Sequence, residues 1–295
     1  MRWTPGGSSE DVEDRRDDDS GGGGGFGGSG IGGIHLGVGG TILVLILSAV
    51  FHQNFFALIS GGGPGPGSGA PAESRHVNPA QDAREAKLKD FITFVLNDVQ
   101  HTWETLLPAQ TNAHYHHAKL VLFRDETQSP CGEAQSAMGP FYCPGDEKVY
   151  IDLGFYDELS QRFGAPGEFA QAYVLAHEIG HHVQKILGTE QKVRRLQESN
   201  PSETNVLSVR LELQADCYAG VWGYTTQQRN LLDPGDIDSG MKAAAAVGDD
   251  RLQRMGRGRV NPESFTHGTS AQRTSWLKKG LETGQVESCN TFQRK

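Results

Sequence analysis

The sequence predicts an α+β fold, mainly helical with a small sheet, preceded by one transmembrane helix. Three observations carry that prediction. Beyond about residue 76, apolar residues recur at helical spacing in several segments, while only two short runs are β-branched or aromatic and bounded by turns. Glycine supplies 39 of the 295 residues and is concentrated before residue 70, so the two parts of the chain differ in kind. Between them, residues 34–60 contain no Asp, Glu, Lys or Arg.

Residues 1–33 read as a disordered acidic and glycine-rich tail. The centre of this tail, "EDVEDRRDDD", cannot bury enough apolar surface to offset its ordering entropy. Residues 34–60 supply the roughly 20 residues that cross a bilayer core as a helix. The long acidic leader, and the lack of a small-x-small cleavage pattern, argue against a removed signal peptide. Arg2, Arg15 and Arg16 precede the segment and no Lys or Arg follows until Arg75. The positive-inside rule then places the N-terminus inside and the domain on the outer face of the membrane, as a single-pass protein. Residues 61–75 read as a flexible linker and 76–295 as one domain of roughly 220 residues, enough for one core.

Four cysteines, Cys131, Cys143, Cys217 and Cys289, form no CxxC pair, which argues against a zinc ribbon. Their even number suits two disulfides and an oxidising compartment. Cys131 and Cys143 are the pair their spacing favours, because they bracket a short turn-rich loop. A formal net charge of −9 with no basic stripe excludes nucleic acid as a partner.

Within the domain, Leu88, Phe91, Phe94, Val95, Val99 and Trp103 mark one long amphipathic helix. Residues 118–125 and 148–155 read as strands. Residues 167–187 read as a helix stopped by Gly188. Asn200, Pro201 and Glu203 resemble an N-cap, first-turn proline and third-position acid of a helix running to Gln228. Helices at 234–248, 249–255 and 270–283 complete the domain, the last stopped by Gly284.

The first of the two inner helices carries "AHEIGHHVQ". Positions i and i+4 share a helix face, so His177 and His181 can grip one cation, and Glu178 beside them can act as general base. A catalytic zinc needs a third protein ligand. The metzincin extension would require glycine at Gln184 and histidine at Leu187, which excludes that class. Glu212 in "ELQAD", on the next well-capped helix, supplies the carboxylate, and Asp216 one turn on can orient a ligand histidine through the ring's other nitrogen. A solvated helix face is the bland alternative, but Val209, Leu213, Ala215, Ala219 and Val221 make that helix apolar on most sides. His182 lies about 100° round the helix from His181 and reads as a packing residue. For an oxyanion donor, His267, Tyr218 and Arg210 are candidates, and "KVYIDL" is the candidate strand for pairing with an extended peptide.

The two segments, together with "CGEAQSAMGPFYCPGDEKVYIDLGF" and "HGTSAQRTSWLKKGLETG", resemble the bacterial neutral zinc metallopeptidase family over essentially all of residues 76–295. The resemblance implies a zincin-like, gluzincin-type domain. It implies Zn2+ at His177, His181 and Glu212, with Glu178 catalytic in activating a zinc-bound water. The expected function is a membrane-anchored zinc metallopeptidase, an endopeptidase, acting on a protein or peptide. The alternative is a non-catalytic, membrane-tethered zinc-binding interaction module, against which Glu178 stands, since a structural site has no use for an adjacent base.

Overall fold

The computed structural model describes residues 1–16, 79–135 and 138–293. The expected transmembrane helix at 34–60 and linker at 61–75 lie outside the described residues, as do residues 17–33. Among the described residues, no helix is long and apolar enough to cross a membrane. The class is α+β and mainly helical.

Helix α1, Pro79–Gln110, buries Phe91, Ile92, Val95, Leu96, Val99, Trp103 and Leu107 along one stripe. The chain then turns into strands β2 (Lys119–Phe123) and, after a hairpin of β3 (Glu126–Ser129) and β4 (Gly132–Gln135), β5 (Phe141–Cys143) and β6 (Lys148–Asp152). Strands β2 and β6 run parallel, with Leu120 opposite Val149 and Leu122 opposite Ile151. Both faces of β2 are buried, which explains its unbroken apolar run. Strand β5 pairs antiparallel with β6 on its far side. The candidate peptide-binding strand "KVYIDL" is therefore interior, and β5 is the outer strand there. A Cys131–Cys143 disulfide ties the end of β5 to the hairpin turn.

Seven further helices follow β6: α2 (Gly154–Gln161), α3 (Glu168–Ile186), α4 (Thr189–Ser199), α5 (Thr204–Gln228), α6 (Asp236–Ala246), α7 (Asp249–Arg257) and α8 (Ser270–Thr283). The expected Asn200 cap is not formed. A 3-10 turn at Pro201–Glu203 leads into α5, because the proline favours the tight turn without placing the Asn200 side chain on an amide. Helix α8 begins with a reciprocal Thr269–Gln272 capping box and ends at left-handed Gly284. Helices α5 and α8 approach each other through Gly220 and Gly280: a Cβ on Gly280 would sit 2.0 Å from the Cys217 carbonyl oxygen. The Cys217–Cys289 disulfide fastens the turn after α8 to the same helix.

The first sixteen residues correct the expected disorder. Strand β1, Val12–Asp14, adds to the sheet parallel to β2, giving the order β1-β2-β6-β5. The Glu13 carboxylate accepts from Lys148 Nζ at 2.7 Å and that of Asp14 from Lys89 at 2.8 Å, while Trp3 packs on Phe91 with ring centroids 5.2 Å apart. Composition marks these charges as solvated, but their partners lie far along the chain and are invisible to a local reading.

The terminal amine is part of this docking. It lies 3.0 Å from Asp236, 3.3 Å from Asp233 and 3.5 Å from Glu168, the first residue of α3. Burial alone would lower its pKa, but the carboxylates, Asp236 foremost, carry it above the ordinary 8.0. A group raised on folding stabilises fully below its unfolded value and ceases to do so as pH rises through the folded one. Docking of residues 1–16 should therefore loosen on the alkaline side of pH 8. Amide exchange at Val12–Asp14 should accelerate there more steeply than intrinsic exchange chemistry requires, and an N-acetylated chain should show no such extra steepness.

Candidate metal centre

Helix α3 is apolar on most sides and buried along nearly its whole length, so its polar residues at 177, 178 and 181 are held in place by their surroundings. It packs against α5 where Gly180, the fourth residue of His-Glu-x-x-His, meets Ala215. A Cβ at 180 would stand 3.0 Å from the Ala215 carbonyl oxygen. Glycine inside a helix costs about 1 kcal/mol, and here it lets the two helices come close enough to share one site.

The predicted residues meet across that contact. His177 Nε2 lies 3.2 Å from Glu212 Oε2 and His181 Nε2 lies 3.5 Å from Glu212 Oε1. One donor atom from each of the three residues falls within 4.8 Å of the others. The two rings stand at 88° with centroids 4.9 Å apart. Their outer nitrogens are separately engaged: His177 Nδ1 with Asp216 Oδ1 at 2.9 Å, and His181 Nδ1 with Gln184 Oε1 at 2.9 Å. Gln184 is itself fixed by donating to the Leu211 carbonyl at 2.7 Å. Two imidazoles with oriented outer nitrogens and a converging carboxylate fit a divalent transition metal such as zinc.

Electrostatics agree with that fit. Burial would raise the Glu212 carboxyl, yet His181, His267 and His177 facing it hold it well below the carboxylate range. Burial would likewise lower His177, but Asp216 and Glu212 push it up to about 10. An acid pair gripping an imidazole in this way is a seat for positive charge. Glu178 is 7% exposed, and burial raises its pKa against the pull of His177 and His181. Among the described residues its carboxylate takes part in no hydrogen bond, so its lone pairs are available to a substrate water.

His182 is placed elsewhere. Its Nδ1 bonds the Tyr142 hydroxyl at 2.9 Å and its Nε2 the His116 carbonyl at 2.7 Å, and burial drives its pKa to about 4. It clusters with His116 and Glu147, but both its nitrogens are occupied and Lys185 neutralises Glu147 at 2.7 Å. That cluster is a packing and ion-pair network. Of the expected oxyanion donors, Tyr218 lies in the core against Trp103 and Arg210 offers its carbonyl to Thr291. His267 faces Glu212 and bonds Asp249 Oδ1 at 3.2 Å, while Asp249 Oδ2 accepts the amides of Thr266, His267 and Gly268.

Sequence reasoning missed Gln184, Asp249 and Arg273 around this site. Arg273, on α8, reaches Asp216 with Nε at 2.9 Å and Nη2 at 2.9 Å. A buried arginine two turns before Gly280 on one helix face is a signal that could have been read. Beside the centre, a cavity of ≈ 210 Å³ is walled by His181, Leu211 and Glu212 and by Glu190, Arg194 and Gln197 of α4.

The chain matches the family described as "Putative neutral zinc metallopeptidase" over residues 1–292, which includes the docked N-terminal segment. It is 46% identical over 299 residues to the Escherichia coli K12 protein titled "Uncharacterized protein YpfJ", covering 99% of each chain. It is 44% identical over 207 residues to the Mycobacterium bovis protein titled "Uncharacterized protein Mb2605", covering 66% of this chain and 68% of that one. The same figures hold for "Uncharacterized protein Rv2575" of Mycobacterium tuberculosis H37Rv. No solved structure matches. A site whose donors fit zinc and a match spanning almost the whole chain lead to one conclusion: this protein belongs to the putative neutral zinc metallopeptidase family.

Proposed function

We propose that the protein is a zinc-dependent endopeptidase with a zincin-like, gluzincin-type domain, in which His177, His181 and Glu212 hold the metal and Glu178 is the general base. The observation that carries the reading is the convergence of both Nε2 atoms on the Glu212 carboxylate, with the unbonded Glu178 carboxylate next to His177 in the chain. Bound zinc would supply Lewis-acid polarisation of the scissile carbonyl and a lowered pKa for water. Glu178 takes the proton of the attacking water and returns it to the leaving nitrogen. His267, held by Asp249, donates to the carbonyl oxygen as negative charge develops there. The outer strand β5 offers its free edge to an extended peptide, and the α4 cavity takes one side chain.

Two disulfides support an extracytoplasmic position for the domain, and the β1–β2 pairing puts residues 1–16 with it. The length of residues 34–60 and their lack of Asp, Glu, Lys and Arg support membrane anchoring at that segment.

The test is hydrolysis of an unfolded polypeptide and of a peptide blocked at both ends. Activity should vanish with chelator and return with zinc. Glu212→Ala should lower zinc affinity by orders of magnitude and abolish cleavage together. An unchanged metal content would remove Glu212 from the ligands, and a zinc-loaded wild type without cleavage of any polypeptide would favour the non-catalytic module.

A further inference from the structure

Arg273 is 3% exposed, a full positive charge at the centre of the domain. Its place there depends on the glycine contact between α5 and α8: Gly220 and Gly280 remove the side chains that would hold the helices apart, and Arg273 lies two turns before Gly280 on the docking face. From that position the guanidinium grips Asp216 with two nitrogens, Nε on Oδ2 and Nη2 on Oδ1, both at 2.9 Å. The third nitrogen donates to the Val247 carbonyl at 3.3 Å. Nη2 also stands 3.3 Å from the Tyr173 hydroxyl and 3.4 Å from His177 Nδ1.

The consequence falls on Asp216, which is wholly buried. Its Oδ1 accepts from the Tyr173 hydroxyl at 2.5 Å and faces His177 Nδ1 at 2.9 Å. A buried carboxylate without the guanidinium fork would be free to turn toward other donors. That rotation would withdraw the acceptor that faces His177 Nδ1. The planar guanidinium fork fixes both the charge and the rotation of the carboxylate, which a point charge at the same distance would not do.

We propose that Arg273 is a positioning residue for the metal centre: by clamping Asp216, it keeps the His177 ring oriented with Nδ1–H on Asp216 and Nε2 turned to Glu212, where the metal would bind. The inference rests on the metal-binding reading above but concerns the imidazole itself, so it can be tested without zinc. In the metal-free full-length protein, histidine-labelled with nitrogen-15, His177 should show an exchange-protected, downfield Nδ1–H proton. Arg273→Gln and Arg273→Lys should each lose it. Zinc affinity, by competition with a chromophoric chelator, should weaken about 10–100-fold in both. Because Arg273 acts through Asp216, the double variant with Asp216→Asn should bind zinc no more weakly than the weaker single variant.

A structural role alone would lower the melting temperature while leaving the imidazole proton and the zinc affinity within twofold of wild type, and that result would overturn the proposal. Additive losses in the double variant would also overturn it. If the glutamine variant fails to fold, the lysine variant decides, since it keeps the charge and lacks the fork. His181→Ala separates the two readings: were it to bind zinc like wild type, the metal assignment would fail. The fate of the His177 proton in the Arg273 variants would still decide the clamp.

Discussion

Glu178→Gln should retain zinc at the wild-type stoichiometry and lose peptide hydrolysis by roughly 10²–10⁴-fold or more in kcat/KM. Glutamine keeps the shape and hydrogen-bonding reach of the side chain but cannot accept the proton of an attacking water. The substitution is also expected to spare the fold. Glu178 is buried, and that burial opposes its charge, so a neutral isostere removes a desolvation cost and breaks no observed hydrogen bond. Calorimetry should place the variant's melting temperature at or slightly above wild type. A zinc-loaded variant that cleaves within threefold of the wild-type rate would eliminate Glu178 as the base. A variant that loses zinc would instead show that the carboxylate helps hold the metal.

Gly280→Ala is expected to have the largest effect on stability. On helix propensity alone the change should help by about 1 kcal/mol. Here the new Cβ would lie 2.0 Å from the Cys217 carbonyl oxygen, 2.7 Å from the Val221 nitrogen and 2.8 Å from the Gly220 Cα. All three are main-chain atoms of α5, and none can rotate away. The helices must part, and overpacking of that kind costs about 1–3 kcal/mol or more. With the neighbouring packing of Leu277 and Leu281 disturbed as well, we expect a net loss of about 3 kcal/mol or more, or about 6–12 °C in melting temperature for a domain of this size. The two arguments predict opposite signs, so a variant as stable as wild type would refute the close-packing account. Zinc affinity should fall alongside stability, because separating α8 from α5 also pulls Arg273 from Asp216.

The mainly helical α+β class and the convergence of His177, His181 and Glu212 were legible because the signals that encode them are local. His177 and His181, and Glu212 and Asp216, are each one helical turn apart, and that spacing survives any uncertainty about tertiary arrangement. Helix α5 could be read as inward-facing from the apolar residues around its acids. What could not be read was settled by contacts between distant segments. Gly180 resembles any helix weakness until Ala215 is seen against it. Gln184 served in the sequence only to exclude a glycine-containing motif, although it fixes the outer nitrogen of His181. The acid-rich N-terminus shows the reverse error: its composition is that of a solvated tail, yet Lys148, Lys89 and an unpaired strand edge await it.

The way the two chain ends close the domain has a consequence for the order of assembly. The terminal amine meets Asp236 across 235 residues, Cys217 meets Cys289 across 72, and Asp216 meets Arg273 across 57. Contacts of such separation carry a loop-closure cost before they stabilise anything, so they form late. During synthesis α3 and α5 can pair before α8 is made, leaving Asp216 without its cation. The centre acquires its full set of braces only when the last helix has been made and docked.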